Sequence, residues 1–353
     1  MATTTSPAPR PARALPKPIL AFTQGDPAGI GPEILLRLLE EGPADYVPVY
    51  FLERAAVEAL APGFPEANRR LVWGTDLAEA RSIAECDGCL AIDPSPPPPT
   101  DTARVVIPGR PSANDARGAM AAIDAAIDAA LAGQVDAVVT APVAKWTIAR
   151  HVRSEFRGHT EYLAERCGLA QYGRDYLMTF LAPDLTVALL TTHLPLRAAL
   201  DAIRPEAILD ALRLFARHVP GRLAVAAVNP HAGEEGLLGD EDDRLVRPAV
   251  EAARAEGLDV SGPHAADSVF ARARRGEFSG VLALYHDQGL IAVKTAAFGL
   301  ATNWTMGLPF LRTSVDHGTA FDIAGRGLAD AGPLREVVRA TRERLALPTS
   351  REG

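Results

Sequence analysis

Long apolar runs are absent from this 353-residue sequence: none approaches the roughly 20 residues that a helix needs to span a bilayer. Dense runs of lysine or arginine are absent too, and the net charge is −8 at pH 7. Nucleic-acid-binding proteins carry a basic surface, so this charge argues against nucleic acid as the main partner. A few local basic groups are enough to bind a small anion. We therefore expect a small-molecule partner, with no membrane and no nucleic acid.

Cysteine is scarce. Only Cys86, Cys89 and Cys167 occur, and so small and odd a number indicates a protein of the reducing cytoplasm. Cys86 and Cys89 form a C-x-x-C pair, but no second pair completes a zinc site. Residues 1–17 lack the apolar core of a secretory signal and are rich in proline, alanine and threonine, which predicts a flexible extension.

A complete dinucleotide-binding fingerprint is also missing. The segment GDPAGIGPE at 25–33 follows an apolar run, but Ile34 stands where G-x-G-x-x-G has its third glycine. This departure excludes a Rossmann-type site. The glycines and Pro32 predict a tight strand-to-helix turn, and contact between its backbone and a ligand is an equally supported alternative.

Short apolar runs alternate with helical patterns along most of the chain. This alternation predicts an α/β fold with a mostly parallel sheet and helices on both faces. Pro48 predicts an edge position for the second strand, because proline cannot donate to a neighbouring strand. One long scaffold helix is expected at 199–217, and a loop at PSPPPP, 94–99. The predicted buried strands are 18–23, 47–52, 135–140, 185–192, 223–228 and 281–285.

Three histidines come just after predicted strands. His193 lies in TTHLP, His231 in NPHAGE and His286 in YHDQG. Ligands bind at the carboxyl ends of the strands in open α/β sheets. Neutral imidazole binds Zn²⁺ and related ions, and three protein ligands with one open position make a catalytic site. Each histidine alone is more often structural, but three at corresponding positions favour a metal site.

Other candidate residues suit a small anion. His159 and Thr160 precede an apparent helix, whose first N–H groups favour an anion; Thr160 as a simple N-cap is the alternative. Lys294, Asn303 and Arg312 follow His286. Arginine binds phosphate or carboxylate through a planar fork, while lysine supplies a point charge.

Six blocks of this sequence, taken in order, resemble the motifs of the 4-hydroxythreonine-4-phosphate dehydrogenase (PdxA) family of vitamin B6 biosynthesis. The similarity covers roughly the whole chain after the N-terminal extension. Its last block also resembles the adenosine-binding loop of isopropylmalate and isocitrate dehydrogenases. The blocks are GDPAGIGPE at 25–33, GHTE at 158–161, TTHLP at 191–195, NPHAGE at 229–234, YHDQGL at 285–290 and RTSVDHGTAFDIAG at 312–325.

The resemblance implies a two-lobed fold like that of isocitrate and isopropylmalate dehydrogenases, with a cleft between the lobes. The first lobe would hold residues 18–145 and 315–353, and the second residues 146–314 with the metal and dimer-interface residues. It further implies a homodimer whose active site is shared, with one metal-binding histidine coming from the neighbouring subunit.

The resemblance also assigns roles to residues. The metal ligands would be His193, His231 and His286, with Zn²⁺ or Co²⁺ favoured over Mg²⁺ because Mg²⁺ prefers oxygen ligands. A phosphorylated substrate would contact His159, Thr160, Lys294, Asn303 and Arg312. NAD or NADP would contact Asp316, His317, Gly318 and Asp322.

The family reaction oxidises the secondary alcohol of 4-phosphohydroxy-L-threonine with NAD(P)⁺, and loss of CO₂ then gives 3-amino-2-oxopropyl phosphate. A divalent ion would lower the pKa of the hydroxyl and polarise the ketone. The reaction needs a proton acceptor, for which Lys294 and Asp267 are the two candidates.

Three alternatives stay open. One is a related dehydrogenase for a four-carbon sugar-acid phosphate or an aromatic cis-dihydrodiol carboxylate. Another is a metal-dependent hydrolase built on the same histidines, against which the DHGTAFDIAG block argues. The last is a binding protein without catalysis.

Overall fold

The computed structural model describes residues 16–42, 44–95 and 103–347. The extension predicted for residues 1–17 therefore lies almost wholly outside the described residues, and so does most of the loop predicted at 94–99.

Within these ranges, twelve strands form one sheet in the order β3-β4-β2-β1-β5-β12-β11-β6-β7-β10-β8-β9. Neighbouring strands are parallel except around β6 and β11, where β11 runs antiparallel to β12 and β6, and β6 to β7. The predicted α/β fold with a mostly parallel sheet is confirmed. The strands are β1 Ile19–Thr23, β2 Val47–Phe51, β3 Leu71–Trp73, β4 Cys89–Ile92, β5 Ala137–Thr140, β6 Leu177–Ala182, β7 Leu185–Leu189, β8 Leu223–Ala226, β9 Val260–His264, β10 Gly280–Ala283, β11 Thr302–Met306 and β12 Leu311–Val315.

Helices pack on the sheet, and among those described none is long and apolar enough to cross a membrane. The helices are α1 Gly31–Glu40, α2 Arg54–Leu60, α3 Pro65–Arg70, α4 Ala80–Glu85, α5 Ala113–Leu131, α6 Lys145–His151, α7 His159–Arg166, α8 Leu196–Ala202, α9 Pro205–His218, α10 Arg247–Ala255, α11 Ala266–Arg274, α12 His286–Ala297 and α13 Gly332–Ala346.

The sheet is buried on both faces, which explains its uninterrupted apolar runs. Successive side chains of a strand point to opposite faces. In β1, Leu20 and Phe22 accordingly pack in one apolar core and Ala21 in another. In β10, Val281 and Leu282 divide in the same way between two further cores. The division into two lobes at residues 145 and 315 stays a prediction.

The edge position predicted for the second strand is wrong: β2 lies between β1 and β4. The N–H of Val47 donates to Pro18 on the β1 side, so the nitrogen of Pro48 faces β4. Pairing between β2 and β4 begins only at Val49. The missing donor of Pro48 therefore costs no ladder hydrogen bond.

The single helix predicted at 199–217 is also wrong, because two helices cover this stretch. Helix α8 ends at Ala202 and α9 begins at Pro205. Arg204 between them is extended, with φ −137° and ψ 149°. The ring of a proline disfavours helical backbone in the residue before it, which accounts for the break.

The turn predicted at GDPAGIGPE is confirmed. It leads from β1 into α1, with Pro32 in the first turn of the helix. Gly25 has φ +70°, and a Cβ on it would lie 2.2 Å from the Pro142 carbonyl oxygen. A Cβ on Gly31 would lie 1.9 Å from the Gln24 carbonyl oxygen. Only glycine leaves room for this close approach of the backbone.

Candidate functional site

Two of the three candidate metal ligands converge. Strands β7 and β10 are parallel neighbours, and the segments that follow them carry His193 and His286. A hydrogen bond from the Thr191 hydroxyl to the Leu284 carbonyl (2.9 Å) ties these two segments together. The two imidazole rings lie 5.2 Å apart between centroids and are tilted by 45°. Residues 93 positions apart in the sequence therefore form a pair at the carboxyl edge of the sheet.

The chemistry of this histidine pair suits a divalent ion. The Nδ1 atom of His286 lies 2.7 Å from the Asp287 carboxylate, an arrangement that leaves Nε2 as the ligand atom. Burial lowers the pKa of His193, and the charges of Lys145 and His286 lower it further. Because a metal binds the neutral ring, a lowered pKa favours binding at neutral pH.

His231 does not join this pair within one chain. No group of three histidine, cysteine or acidic side chains that could hold a metal is present in the described part of the chain. His231 is exposed, in the turn that follows β8, with left-handed backbone at φ 53°. The Asp242 carboxylate holds the start of this turn by accepting from the N–H groups of Val228 (2.8 Å) and Asn229 (2.9 Å).

Arg312, on β12, carries a buried guanidinium group that contacts no acidic side chain among the described residues. It is 2% exposed. Its Nη1 donates to the Thr305 hydroxyl (2.8 Å) and its Nη2 to the Thr140 hydroxyl (2.6 Å), while its buried Nε has no partner. Burial lowers the pKa of Arg312 to about 9, so the group is still charged at neutral pH. A buried charge without a counter-ion is costly unless an anion binds it.

His159 and Thr160 lie beside this guanidinium. They are the first two residues of α7, after Gly158, so Thr160 is inside the helix and the simple N-cap alternative is wrong. The Thr160 hydroxyl lies 3.5 Å from that of Thr305, which also accepts from Arg312. The buried Nε2 of His159 has no hydrogen-bond partner. Burial lowers the pKa of His159 well below its usual value, and Arg312 and Lys145 contribute, so the ring is neutral.

Asn303 has an unpartnered buried atom on the same face of the sheet. It pairs with Ser314 across β11 and β12, two residues from Thr305 on its own strand. Alternate residues of a strand share a face, so Asn303 points to the same side as Thr305. Its Oδ1 atom is buried and has no hydrogen-bond partner. Together with Arg312 and His159 it forms a set of buried polar groups, the anion pocket, whose hydrogen-bonding capacity the protein does not fill.

Lys294, a predicted substrate ligand, is paired with Asp316, a predicted coenzyme ligand: Nζ and Oδ2 lie 3.0 Å apart. His317 Nδ1 is 3.0 Å from the Gly318 carbonyl oxygen. Asp322 is exposed. The structure thus links the end of β12 to α12 and leaves Gly318 and Asp322 exposed.

The turn at 25–33 packs against the predicted coenzyme loop, which is the segment 316–331 between β12 and α13. The Ile30 N–H donates to the Thr319 carbonyl (2.9 Å). The fully buried Glu33 accepts from the N–H groups of Gly325 (2.9 Å) and Ala329 (3.1 Å). Sequence reasoning missed Glu33, although it closes the GDPAGIGPE block. Its carboxylate fixes the shape of the loop.

Asp267 is the second candidate proton acceptor, besides Lys294. It is exposed in the first turn of α11, and this helix packs against the turn that carries His231. Sequence reasoning also missed Lys145, whose charge acts on both His159 and His193. A usable signal was present, since Lys145 follows a predicted strand just as the three histidines do.

The chain is similar to several known proteins. A family model described as pyridoxal phosphate biosynthetic protein PdxA matches residues 69–341. A 4-hydroxythreonine-4-phosphate dehydrogenase of Chromobacterium violaceum is 41% identical over 341 residues, which cover 94% of this chain and 97% of the relative. A protein of Cutibacterium acnes, provisionally named D-threonate 4-phosphate dehydrogenase, is 42% identical over 327 residues, 89% of this chain and 90% of its own. A crystal structure of 4-hydroxythreonine-4-phosphate dehydrogenase from Klebsiella pneumoniae is similar with a TM-score of 0.79 at 36% identity, covering 93% of this chain and 100% of that one.

Proposed function

Because the chain belongs to the PdxA family of pyridoxal phosphate biosynthetic proteins, we propose that it is a dehydrogenase that oxidises 4-phosphohydroxy-L-threonine with NAD⁺ or NADP⁺ in the cytoplasm. Oxidation of the secondary alcohol gives a β-keto acid, which loses CO₂ to form 3-amino-2-oxopropyl phosphate. The observation that carries this proposal is the buried guanidinium of Arg312, which lies beside His159 and Thr160 and contacts no acidic side chain in the described part of the chain.

The anion pocket is where the phosphate of the substrate would bind. A guanidinium fork offers paired donors to phosphate oxygens, and charge-assisted hydrogen bonds of this kind are about twice as strong as neutral ones. The ring of His159 and the first N–H groups of α7 add neutral donors. Asn303 would bind a further polar group of the substrate. Filling this pocket would satisfy the buried atoms that have no partner in the protein.

His193 and His286 would supply two ligands to a divalent metal ion. A catalytic site of this kind uses three protein ligands, so one more is needed. We assign the third ligand to His231 of the partner subunit. A divalent ion bound there would lower the pKa of the substrate hydroxyl and polarise the ketone. Three imidazoles favour Zn²⁺ or Co²⁺ over Mg²⁺.

Exposed apolar side chains near all three histidines support a shared site in a homodimer. Leu194 and Leu196 follow His193 and are 49% and 56% exposed, and Leu237, six residues after His231, is 77% exposed. On α12 and beyond it, Ile291 is 67% exposed and Phe298 86%. Large apolar side chains grouped on a surface are typical of a protein interface. A second copy of the chain would bury them and bring in its own His231.

Lys294 and Asp267, the two candidate proton carriers, would have different roles. In its ion pair with Asp316, Lys294 is an ammonium group, which suits a proton donor to the carbanion left by loss of CO₂. A carboxylate is a better acceptor for the hydroxyl proton, and Asp267 lies on the helix that packs against the His231 turn. We therefore assign the acceptor role to Asp267 of the partner subunit, arriving together with its histidine.

The coenzyme would bind along the loop that Glu33 fixes. Asp316, His317, Gly318 and Asp322 line its first half, and the hydroxyls of a ribose would suit the exposed carboxylate of Asp322. The turn at 25–33 supports this loop through the Ile30–Thr319 hydrogen bond. This arrangement would let the protein bind a dinucleotide without the third glycine of the Rossmann fingerprint.

A second candidate substrate is D-threonate 4-phosphate, because the relative of that provisional name is 42% identical. It is the phosphate of a four-carbon sugar acid, so the anion pocket suits both compounds. The two differ at carbon 2, which bears an amino group in one and a hydroxyl in the other.

A substrate panel tests the proposal. Purified protein is mixed with NAD⁺ or NADP⁺ and with 4-phosphohydroxy-L-threonine, D-threonate 4-phosphate or an aromatic cis-dihydrodiol carboxylate, and reduction of the coenzyme is followed by absorbance. We expect the first compound to be the best substrate, with activity lost on chelation and restored by adding metal. No reduction with this compound would refute the proposal. Phosphate release without coenzyme would identify a hydrolase instead, and binding without turnover a binding protein.

A further inference from the structure

The anion pocket is short of positive charge for the ligand proposed to fill it. A phosphate monoester carries about −1.5 to −2 charges at neutral pH. Arg312 supplies one positive charge. His159 supplies none, because burial keeps its ring neutral. Up to one negative charge would therefore be left without a counter-charge unless a second cation lies within reach.

Lys145 lies at the entrance to this pocket. It begins α6, just after β5, whose Thr140 accepts from Arg312. A Cβ placed on Gly158, the residue before α7, would lie 3.1 Å from Lys145 Cε and 3.3 Å from its Nζ. Glycine at this position, with φ +151°, thus leaves room for the lysine at the start of α7.

Lys145 is also close enough to both halves of the site for its charge to act on each. Its charge reaches both His159, in the anion pocket, and His193, of the histidine pair, and lowers the pKa of each. The carboxylate of Glu161 also lies beside Gly158. Its Oε2 atom would be 3.3 Å from a Cβ placed on that glycine. Glu161 and Lys145 form no ion pair.

The ammonium group of Lys145 is uncommitted. In the part of the chain that the structure describes, it makes no ion pair and no hydrogen bond, whereas Lys294 is held by Asp316 at 3.0 Å. Lysine is also rare in this protein, with 3 lysines against 33 arginines. Two of the three, Lys145 and Lys294, lie at the site. A compact ammonium fits beside Gly158, where a guanidinium fork would need more room.

We propose that Lys145 is a further substrate-binding residue, whose ammonium group supplies the second positive charge for the phosphate held by Arg312, His159 and Thr160. This inference rests on the proposed function, since it takes a phosphorylated substrate to fill the pocket. It assigns the phosphate two cations, one buried on β12 and one at the entrance on α6.

Isothermal titration calorimetry tests the proposal with two probes, 4-phosphohydroxy-L-threonine and inorganic phosphate. The variants are K145M and K145Q, which remove the charge, and K145R, which keeps it. The control is K17M, because Lys17 is an exposed lysine that donates to the Ala44 carbonyl. A hydrogen bond to a charged group contributes about 1.5–3 kcal/mol, so K145M and K145Q should bind both probes roughly 10- to 100-fold more weakly. K145R should keep part of the affinity, and K17M all of it.

The outcomes separate this proposal from the proposed function. The proposed function would be overturned if wild-type protein binds phosphate but does not oxidise 4-phosphohydroxy-L-threonine. In that case the phosphate titration of the Lys145 variants still decides whether Lys145 binds phosphate. Folded K145M and K145Q with wild-type affinity for both probes would overturn the proposal, and so would wild-type protein that binds neither probe. Circular dichroism checks folding, and K145Q stands in if K145M is misfolded.

Discussion

The ammonium group of Lys294 lies 3.0 Å from the carboxylate of Asp316, so an ion pair links α12 to the end of β12. The two partners belong to different parts of the interior. Val293, beside Lys294, packs in the core around β7 and β10, whereas Val315, beside Asp316, packs in the core around β1 and α1. The pair thus bridges two cores at the candidate site and fixes the direction in which the ammonium group points.

Replacing Asp316 with asparagine (D316N) should lower kcat/KM about 10-fold or more, because a misplaced catalytic group loses much of its effect. The free energy of unfolding should change by less than about 1 kcal/mol, since partly exposed ion pairs contribute little to stability. Steady-state kinetics and urea denaturation measure the two quantities. E256Q, which breaks the exposed Arg213–Glu256 pair, is the control and should leave both unchanged. Full activity of D316N would contradict a positioning role.

Arg312→Met should abolish phosphate binding and at the same time raise the melting temperature. Within residues 16–42, 44–95 and 103–347 the buried guanidinium contacts no acidic side chain, so its removal relieves the cost of burying an unpaired charge. Calorimetric titration with inorganic phosphate and thermal unfolding give the two readouts. A matched control is Arg344→Met, because Arg344 is a partly buried arginine that stacks on Trp304 at 4.4 Å. That variant should lose stability and keep phosphate binding. A destabilised R312M would argue that the charge serves the fold.

Subunit mixing should show whether His231 acts across a dimer interface. H193A and H231A should each be inactive alone. A mixed dimer of the two keeps one intact site, so a random mixture should regain about a quarter of wild-type activity. Activity after co-expression and separation by affinity tags measures this.

The matched control for that experiment is a mixture of H193A and H286A. Their imidazole rings are 5.2 Å apart in one chain, so each variant damages the same half of the site and no mixed dimer has an intact one. This mixture should stay inactive. Recovery in the control, or none in the H193A and H231A mixture, would place the third ligand elsewhere.

Asp26 should make the protein less stable as the pH rises. Its carboxyl group is 1% exposed and its Oδ2 has no hydrogen-bond partner. Burial raises its pKa from 3.8 to about 7, and nearby Asp115 and Glu53 contribute. Between these two values the folded state binds more protons than the unfolded state, so stability falls with increasing pH through this window.

The D26N variant should lose this dependence. Urea unfolding at about pH 5 and about pH 8 should show that wild-type protein loses on the order of a few kcal/mol more than D26N over this interval. D259N is the control, because Asp259 is 70% exposed, and it should follow the wild type. Equal losses for D26N and the wild type would show that Asp26 does not titrate in this range.

Much of the fold and part of the site could be predicted from local patterns. Strands such as β1 and β10 are continuous apolar runs. His193 and His286 follow their strands directly, and the expected position of both at the carboxyl edge of the sheet agrees with the structure. The position of β2 could not be predicted in this way. Pro48 signals a missing donor, but only the pairing with β4, which begins at Val49, shows that no donor is needed there.

By itself, the sequence determined the class of fold, the family and the identity of most candidate residues, because periodicity and short motifs are local properties that survive without knowledge of the neighbours. The tertiary structure decided which of those residues meet. Among the described residues, it buries Arg312 without an acidic side chain in contact and pairs Lys294 with Asp316. It also keeps His231 apart from the histidine pair and places Lys145 beside Gly158. These relationships depend on strand order and register, which are set by contacts between residues far apart in the chain, and so no local pattern contains them.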